Sequence, residues 1–166
     1  GRHLLAENDR YRLLLGSDEL EGLPTGVRET AMQAAREIGE EGKYLFTLSQ
    51  PSMIPLLTYS SRRDLREQIY KAYLRRGNQD DDLDNKRLIA DFIRLRSEKA
   101  RLLGFESYAD YVLAEQMART PRAAYELLDE IWTPALERAG QELAEMQPLL
   151  EADIPGATFE SWDWWY

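Results

Sequence analysis

Apolar residues recur at helical spacing along most of the chain, and the pattern is densest between Ser49 and Phe105. After Ser60-Ser61, the residues Leu65, Ile69, Ala72 and Tyr73 fall at steps of four, three and one, which stacks them on one helical face. Arg62, Arg63, Arg66, Glu67, Lys71 and Arg75 occupy the remaining faces and predict a solvated charged surface. Gly77-Asn78 ends this helix, since both residues tolerate the left-handed conformation of a C-cap. A polar acidic run, Gln79 to Asp84, leads to a second segment from Asn85 to Leu103. There Leu88, Phe92 and Leu95 form one apolar row, and Ile89, Ile93, Arg96, Ala100 and Leu103 form another. Two adjacent rows make a wide stripe, so the spacing predicts a helix about 28 Å long, buried on more than one side, with Gly104 as its cap. It is the expected central helix of an all-α domain.

Weaker patterns flank this pair. Leu4, Leu5, Asn8, Tyr11 and Leu15 share a face in a short helix over residues 1–15, broken by Gly16-Ser17-Asp18. Leu20 to Pro24 reads as a turn. A helix over 25–38 follows, with Val27, Ala31, Ala34, Ala35 and Ile38 apolar. Residues 43–48, Lys-Tyr-Leu-Phe-Thr-Leu between Gly42 and Ser49-Gln50-Pro51, are the one expected strand. A lone strand leaves its backbone unpaired, and no second strand stands out, so its partner is expected outside the chain. Pro51 opens a short helix through Met53, Ile54, Leu57 and Tyr59, where its missing N–H costs nothing.

Beyond Gly104, Ser107 and Asp110 have capping-box spacing and open a helix carrying Tyr108, Tyr111, Val112 and Met117. Thr120-Pro121 starts the last helix, whose apolar positions run from Leu128 and Trp132 to Met146 and Leu150. Pro134 is expected to kink it and Asp153 to Gly156 to end it. The closing aromatics, Trp162, Trp164, Trp165 and Tyr166, require something to pack against. Both ends cut through patterned sequence, so the chain is expected to be a single helical segment, 1–166, of something longer.

Composition narrows the partners. With 30 acidic against 21 basic residues the formal charge is −9, which argues against nucleic acid, whose phosphates call for clustered Lys and Arg. No apolar run reaches the roughly 18 residues of a membrane span and no signal peptide opens the chain, so a cytoplasmic location is expected. There is no cysteine, hence no disulfide framework and no thiol chemistry.

The residues offer little catalytic chemistry. His3 is the one histidine, placed at the chain terminus, where a solvated residue is expected. A catalytic zinc site draws on two or three histidines and a carboxylate. Asp80, Asp82, Asp84 and Asp91 imitate positions of a calcium loop, but Asn85 stands where that loop turns on glycine and Asp91 where it uses a bidentate glutamate. A linker ending in a helix cap is the expected reading. Glu40-Glu41 and Asp129-Glu130 are neighbours in sequence and diverge on a helix. Tyr70, Tyr73, Tyr108 and Tyr111 lie on apolar faces and are expected mostly in the core.

A longer pattern runs through the chain. It comprises Leu23-Pro24, Gly42-Lys43 with Phe46-Thr47-Leu48, Pro51-Ser52 with Pro55, and Arg63-x-Leu65-Arg66-Glu67 with Tyr70, Ala72-Tyr73 and Arg76. Leu95-Arg96, Lys99-Ala100, Leu102 to Phe105, Tyr108 to Tyr111, Met117-Ala118, Thr120-Pro121 and Trp162-Asp163 continue it. In this order the residues resemble the thimet oligopeptidase family of zinc metallopeptidases, nearest its bacterial oligopeptidase A and peptidyl-dipeptidase branch. The resemblance implies a two-lobed, mostly helical enzyme that cleaves short peptides in a deep channel. It implies one zinc ion held by two histidines of an HExxH helix and a downstream glutamate, the motif glutamate acting as base. That motif follows the Trp-Asp signature in the family, and these 166 residues contain none. No catalytic, cofactor-binding or metal-binding residue is therefore carried over. The resemblance implies a non-catalytic helical lobe upstream of the zinc core, which shapes the channel, partners the rest of its own polypeptide, and self-associates when isolated. The alternative is a free-standing helical module that binds a peptide or partner helix in an aromatic groove.

Overall fold

The computed structural model describes residues 1–166, which form seven α-helices and one two-stranded sheet in two compact units. The first unit combines Gly1–Lys86 with Glu160–Tyr166; the second is Arg87–Phe159.

In the first unit the opening helix, α1 (Arg2–Arg10), is shorter than its apolar spacing suggests. Tyr11 turns extended, and Leu13–Leu15 forms β1, antiparallel to β2 (Tyr44–Phe46) in the register Leu13↔Phe46, Leu14↔Leu45, Leu15↔Tyr44. The expected helix over 1–15 is corrected here, and so is the expectation that the strand finds no partner within the chain. A run of three leucines fits either period. As a strand it sends Leu13 and Leu15 into the core and leaves Leu14 half-buried.

A 3-10 turn at Ser17–Glu19 leads to α2 (Thr25–Glu37), and α3 (Gln50–Tyr59) and α4 (Arg63–Leu74) follow β2. Leu13, Leu15, Phe46, Leu56, Leu57, Leu65 and Ile69 meet in one core, each removed from water. Burying a side chain of this size contributes roughly 1.5–3 kcal/mol. Gly22 lets the turn before α2 reach the end of α3: with φ +82° its Cβ would lie 2.1 Å from the Tyr59 carbonyl oxygen. Ser61 N–H donates to the Glu21 carbonyl at 3.1 Å and closes the contact.

The second unit holds α5 (Lys86–Leu102), α6 (Tyr108–Leu113) and α7 (Pro121–Asp153). Its starts follow from capping chemistry. Ser107 Oγ accepts from Asp110 N–H and Asp110 Oδ2 from Ser107 N–H, each at 3.1 Å, while Thr120 Oγ1 accepts from Ala123 N–H at 3.2 Å. α7 runs on through Pro134 and Pro148. At its far end Gln147 donates to the Ala157 carbonyl and accepts from Phe159 N–H, pinning the returning chain. α6 stops at Leu113, so Met117 lies beyond it and fully exposed, outside the helix that its spacing suggested.

α5 also departs from expectation. Leu88, Ile89, Phe92, Ile93 and Leu95 are each more than half exposed, and Ala100 alone on this helix is buried. On α7, Tyr125, Leu128, Ile131 and Trp132 are likewise exposed. Helical spacing identified these faces as apolar, but within 1–166 nothing covers them.

Candidate functional site

The most strongly tied residues lie where the C-terminal aromatics return to α4. Asp163, at the end of a 3-10 turn over Ser161–Asp163, is 4% exposed, and Arg66 is wholly buried. Arg66 donates to Asp163 Oδ1 at 2.9 Å and to the Ser60 carbonyl at 2.6 Å. Arg63 grips the same carboxylate through Nε and an Nη, with Nη2–Oδ2 at 2.8 Å. Glu160 N–H adds a third donor at 3.0 Å. Burial alone would raise the Asp163 carboxyl; the Arg63 and Arg66 hydrogen bonds outweigh it and hold the group below the usual carboxylate range. Asp163 in turn raises Arg63.

Aromatic rings close over this pair. Tyr166 lies 3.8 Å from the Arg66 guanidinium, while Arg63 and Lys71 flank the Trp162 ring at 5.7 and 4.9 Å. Trp162 meets Tyr70 edge-on at 6.4 Å. Trp162 and Tyr166 therefore find partners on α4, within the chain, while Trp164, Trp165 and Tyr166 each stay about half exposed. Arg66 corrects its assignment to a solvated face. A sequence signal existed: Arg66, Ile69 and Tyr73 follow at steps of three and four, so the arginine belongs to the apolar stripe.

Two further ties hold the start of the chain to the turn that follows α4. Glu7, 2% exposed, accepts from Gly77 N–H and from Gln79 Nε2. Arg76 donates to Asn8 Oδ1 at 2.7 Å and stacks 3.5 Å over Tyr73. The acidic run closes on its neighbours: Arg10 pairs with Asp81 and Asp82, and Lys86 with Asp80 and Asp84. Asp84 Oδ1 accepts from Lys86 N–H at 2.8 Å and caps the start of α5.

Two concave surfaces of the first unit are aromatic or apolar. One, of about 440 Å³, is lined by Met53, Ile54, Tyr70, Tyr73, Trp164 and Trp165. Tyr70 and Tyr73 are thus half-buried wall residues instead of core residues. The other, of about 470 Å³, runs between α2, β2 and α3. In the second unit Tyr108 and Tyr111 are also half-buried, tilted against each other at 5.8 Å, with Arg96 4.7 Å from the Tyr108 ring.

The donor set here does not suit a zinc ion. His3 is half-buried on α1, not a solvated terminal residue, and its Nδ1 has no partner. No three His, Cys, Asp or Glu side chains converge on a point that could hold a metal. What the arrangement can do is clamp and stack. No helix is long and apolar enough to cross a membrane.

A family model described as Peptidase family M3 matches residues 56–166, which include both arginines and Trp162-Asp163. Oligopeptidase A of Haemophilus influenzae is 34% identical over 156 residues, covering 92% of this chain and 23% of that protein. Dipeptidyl carboxypeptidase of Escherichia coli is 34% identical over 164 residues, 98% of this chain and 24% of its own length. A protein named probable cytosolic oligopeptidase A of Arabidopsis thaliana is 38% identical over 154 residues, 86% of this chain and 22% of its own. The chain spans about a quarter of the length of these relatives. The order of motifs from Leu23 to Asp163 and the match over 56–166 agree, and the chain belongs to peptidase family M3.

Proposed function

We propose that this chain is the non-catalytic helical part of a zinc-dependent oligopeptidase or peptidyl-dipeptidase, forming part of the channel that admits short peptides. The observation that carries the reading is the exposed apolar surface of α5 and α7. Such faces on a family member spanning a quarter of its relatives' length are what a piece of a larger enzyme presents. The named activities of the relatives, oligopeptidase A and dipeptidyl carboxypeptidase, supply the reaction class, hydrolysis of short peptides. The zinc ligands and the base then come from outside residues 1–166, since the donor set here does not suit the metal. A cytoplasmic location belongs to this reading, as the name of the Arabidopsis relative has it.

The test is hydrolysis of a quenched fluorescent peptide by the polypeptide of the complete reading frame and by residues 1–166 alone, each with added zinc. Chelator-sensitive turnover in the first and none in the second is expected. Chelator-sensitive turnover by residues 1–166 in a protease-free preparation would overturn the reading. The aromatic cleft beside Tyr70 and Trp165 favours one second reading, a free-standing peptide-binding module. Sedimentation separates the two: a clean monomer across concentrations supports the module, and graded heterogeneous association supports a cut interface.

A further inference from the structure

Both strands of the sheet keep an unpaired outer edge, and β2 also lines a groove. β1 pairs with one side of β2, and the sheet has no third strand. Apart from that ladder, the backbone of Tyr44, Leu45 and Phe46 makes no hydrogen bond. Both flanks are satisfied: Lys43 N–H donates to the Glu40 carbonyl at 3.3 Å and Thr47 N–H to Ser52 Oγ at 2.9 Å. The open edge is therefore bounded, three residues long. In an antiparallel ladder alternate residues face opposite edges, so the outward groups belong either to Leu45 or to Tyr44 and Phe46.

The groove between α2, β2 and α3 lies against this strand. Leu45, Phe46 and Thr47 all line it, although successive strand residues send their side chains to opposite faces. A surface that touches all three therefore meets the backbone of β2 as well as its side chains. Its other walls are small and uncharged, among them Val27, Thr30 and Ala34 of α2 and Pro51 and Pro55 of α3. An unpaired edge beside an apolar trough is a template for another strand, and natural proteins cover such edges.

We propose that a strand from the remainder of the same polypeptide adds to β2 in this groove, extending the sheet to three strands and seating an apolar side chain against Val27 and Ala34. The length of the relatives supports this occupant: about three quarters of a relative's chain lies outside the region matched here, enough to supply it. The inference rests on the proposed reading of the chain as part of a longer peptidase.

The experiment is amide hydrogen exchange at residues 44–46 in the complete polypeptide, free and with a non-hydrolysable peptide, on a sample whose chelator-sensitive peptidase activity is measured in parallel. The expected result is that the outward amides exchange roughly tenfold or more slowly than in residues 1–166 alone, with or without peptide. Protection that arises only with the peptide would show that substrate fills the edge and would overturn the proposal, as would no protection in either state. An inactive sample speaks against the peptidase reading, independently of the exchange result. Ala34→Trp, half-buried on the groove wall, provides a second readout: it is expected to abolish the added protection in the complete polypeptide while leaving the circular dichroism of residues 1–166 unchanged. Protection that survives Ala34→Trp would place the added strand elsewhere.

Discussion

Substituting Asp163 with Asn removes a charge and almost nothing else, which makes it the sharpest probe of the clamp. The wild-type carboxylate is 1% exposed as a side chain, and it faces an Arg66 guanidinium with no exposure and an Arg63 guanidinium with 27%. In Asp163→Asn the buried Arg66 keeps its charge and loses the compensating anion. Leaving a buried partner unpaired costs about 3–5 kcal/mol, and the retained amide oxygen places this variant near the lower figure. The assay is urea unfolding at pH 7 followed by tryptophan fluorescence. A Trp132→Phe background removes the exposed reporter of the second unit and leaves Trp162, Trp164 and Trp165 at the clamp. The pH dependence must agree. The folded carboxyl lies below its unfolded value, so between the two the unfolded chain binds more protons and stability rises with pH. The contribution is complete above the unfolded value of about 4 and is lost as pH falls through the lower folded value. Asp163→Asn should lack this acid limb. A companion double replacement, Arg66→Met with Asp163→Leu, is expected to recover most of the loss, because the desolvation cost goes with the pair. An Asp163→Asn midpoint equivalent to within about 0.5 kcal/mol of wild type, with the acid limb unchanged, would refute the clamp as an energetic tie.

Gly22→Ala should destabilise the first unit by about 2 kcal/mol or more, because a Cβ would sit 2.1 Å from the Tyr59 carbonyl oxygen at a positive φ; thermal melting checks it. Glu7→Ala strands Gly77 N–H and the Gln79 amide and should cost about 2–3 kcal/mol, with faster hydrogen exchange at residues 77–79. Ser107→Ala breaks the capping box and should cost about 1 kcal/mol, read as loss of helicity in the second unit. Phe92→Gln with Ile93→Gln should leave helix content unchanged and reduce self-association in sedimentation, since both side chains already face solvent; a large loss of helicity would show that they are packed.

The elements that sequence reading located best are those whose ends are set by local chemistry. Ser107 with Asp110 and Thr120 with Pro121 specify a helix start through atoms three residues apart, and the structure starts α6 and α7 there. β1 escaped because three leucines cannot define a period, and its identity depends on Tyr44–Phe46, some thirty residues on. The clamp escaped for the same reason at longer range: Arg66 and Asp163 are 97 residues apart, and nothing local to either names the other. The family pattern did include both residues, as motif members with no stated role. With α5 the limitation is different. Periodicity shows that a face is apolar; it does not show whether the covering element lies within these 166 residues.

The two units consequently owe their order to different forces. The first encloses a core from Leu13 to Ile69, closes it with a buried ion pair, and ties α1 to the turn that follows α4 through Glu7 and Arg76. The second relies on caps and on exposed pairs one turn apart, Arg94 with Glu98, Arg122 with Glu126 and Arg138 with Glu142. Such solvated pairs add little, and helices in proteins draw most of their stability from packing an apolar face. α7, 33 residues long, has one buried residue, Leu150, so the term that normally dominates is nearly missing from it. Its stripe of Leu128, Ile131 and Trp132 is exposed, and on the proposed reading the remainder of the peptidase covers it. The first unit contains the determinants of its own fold; on the proposed reading, the second contains the surface through which the larger enzyme holds it.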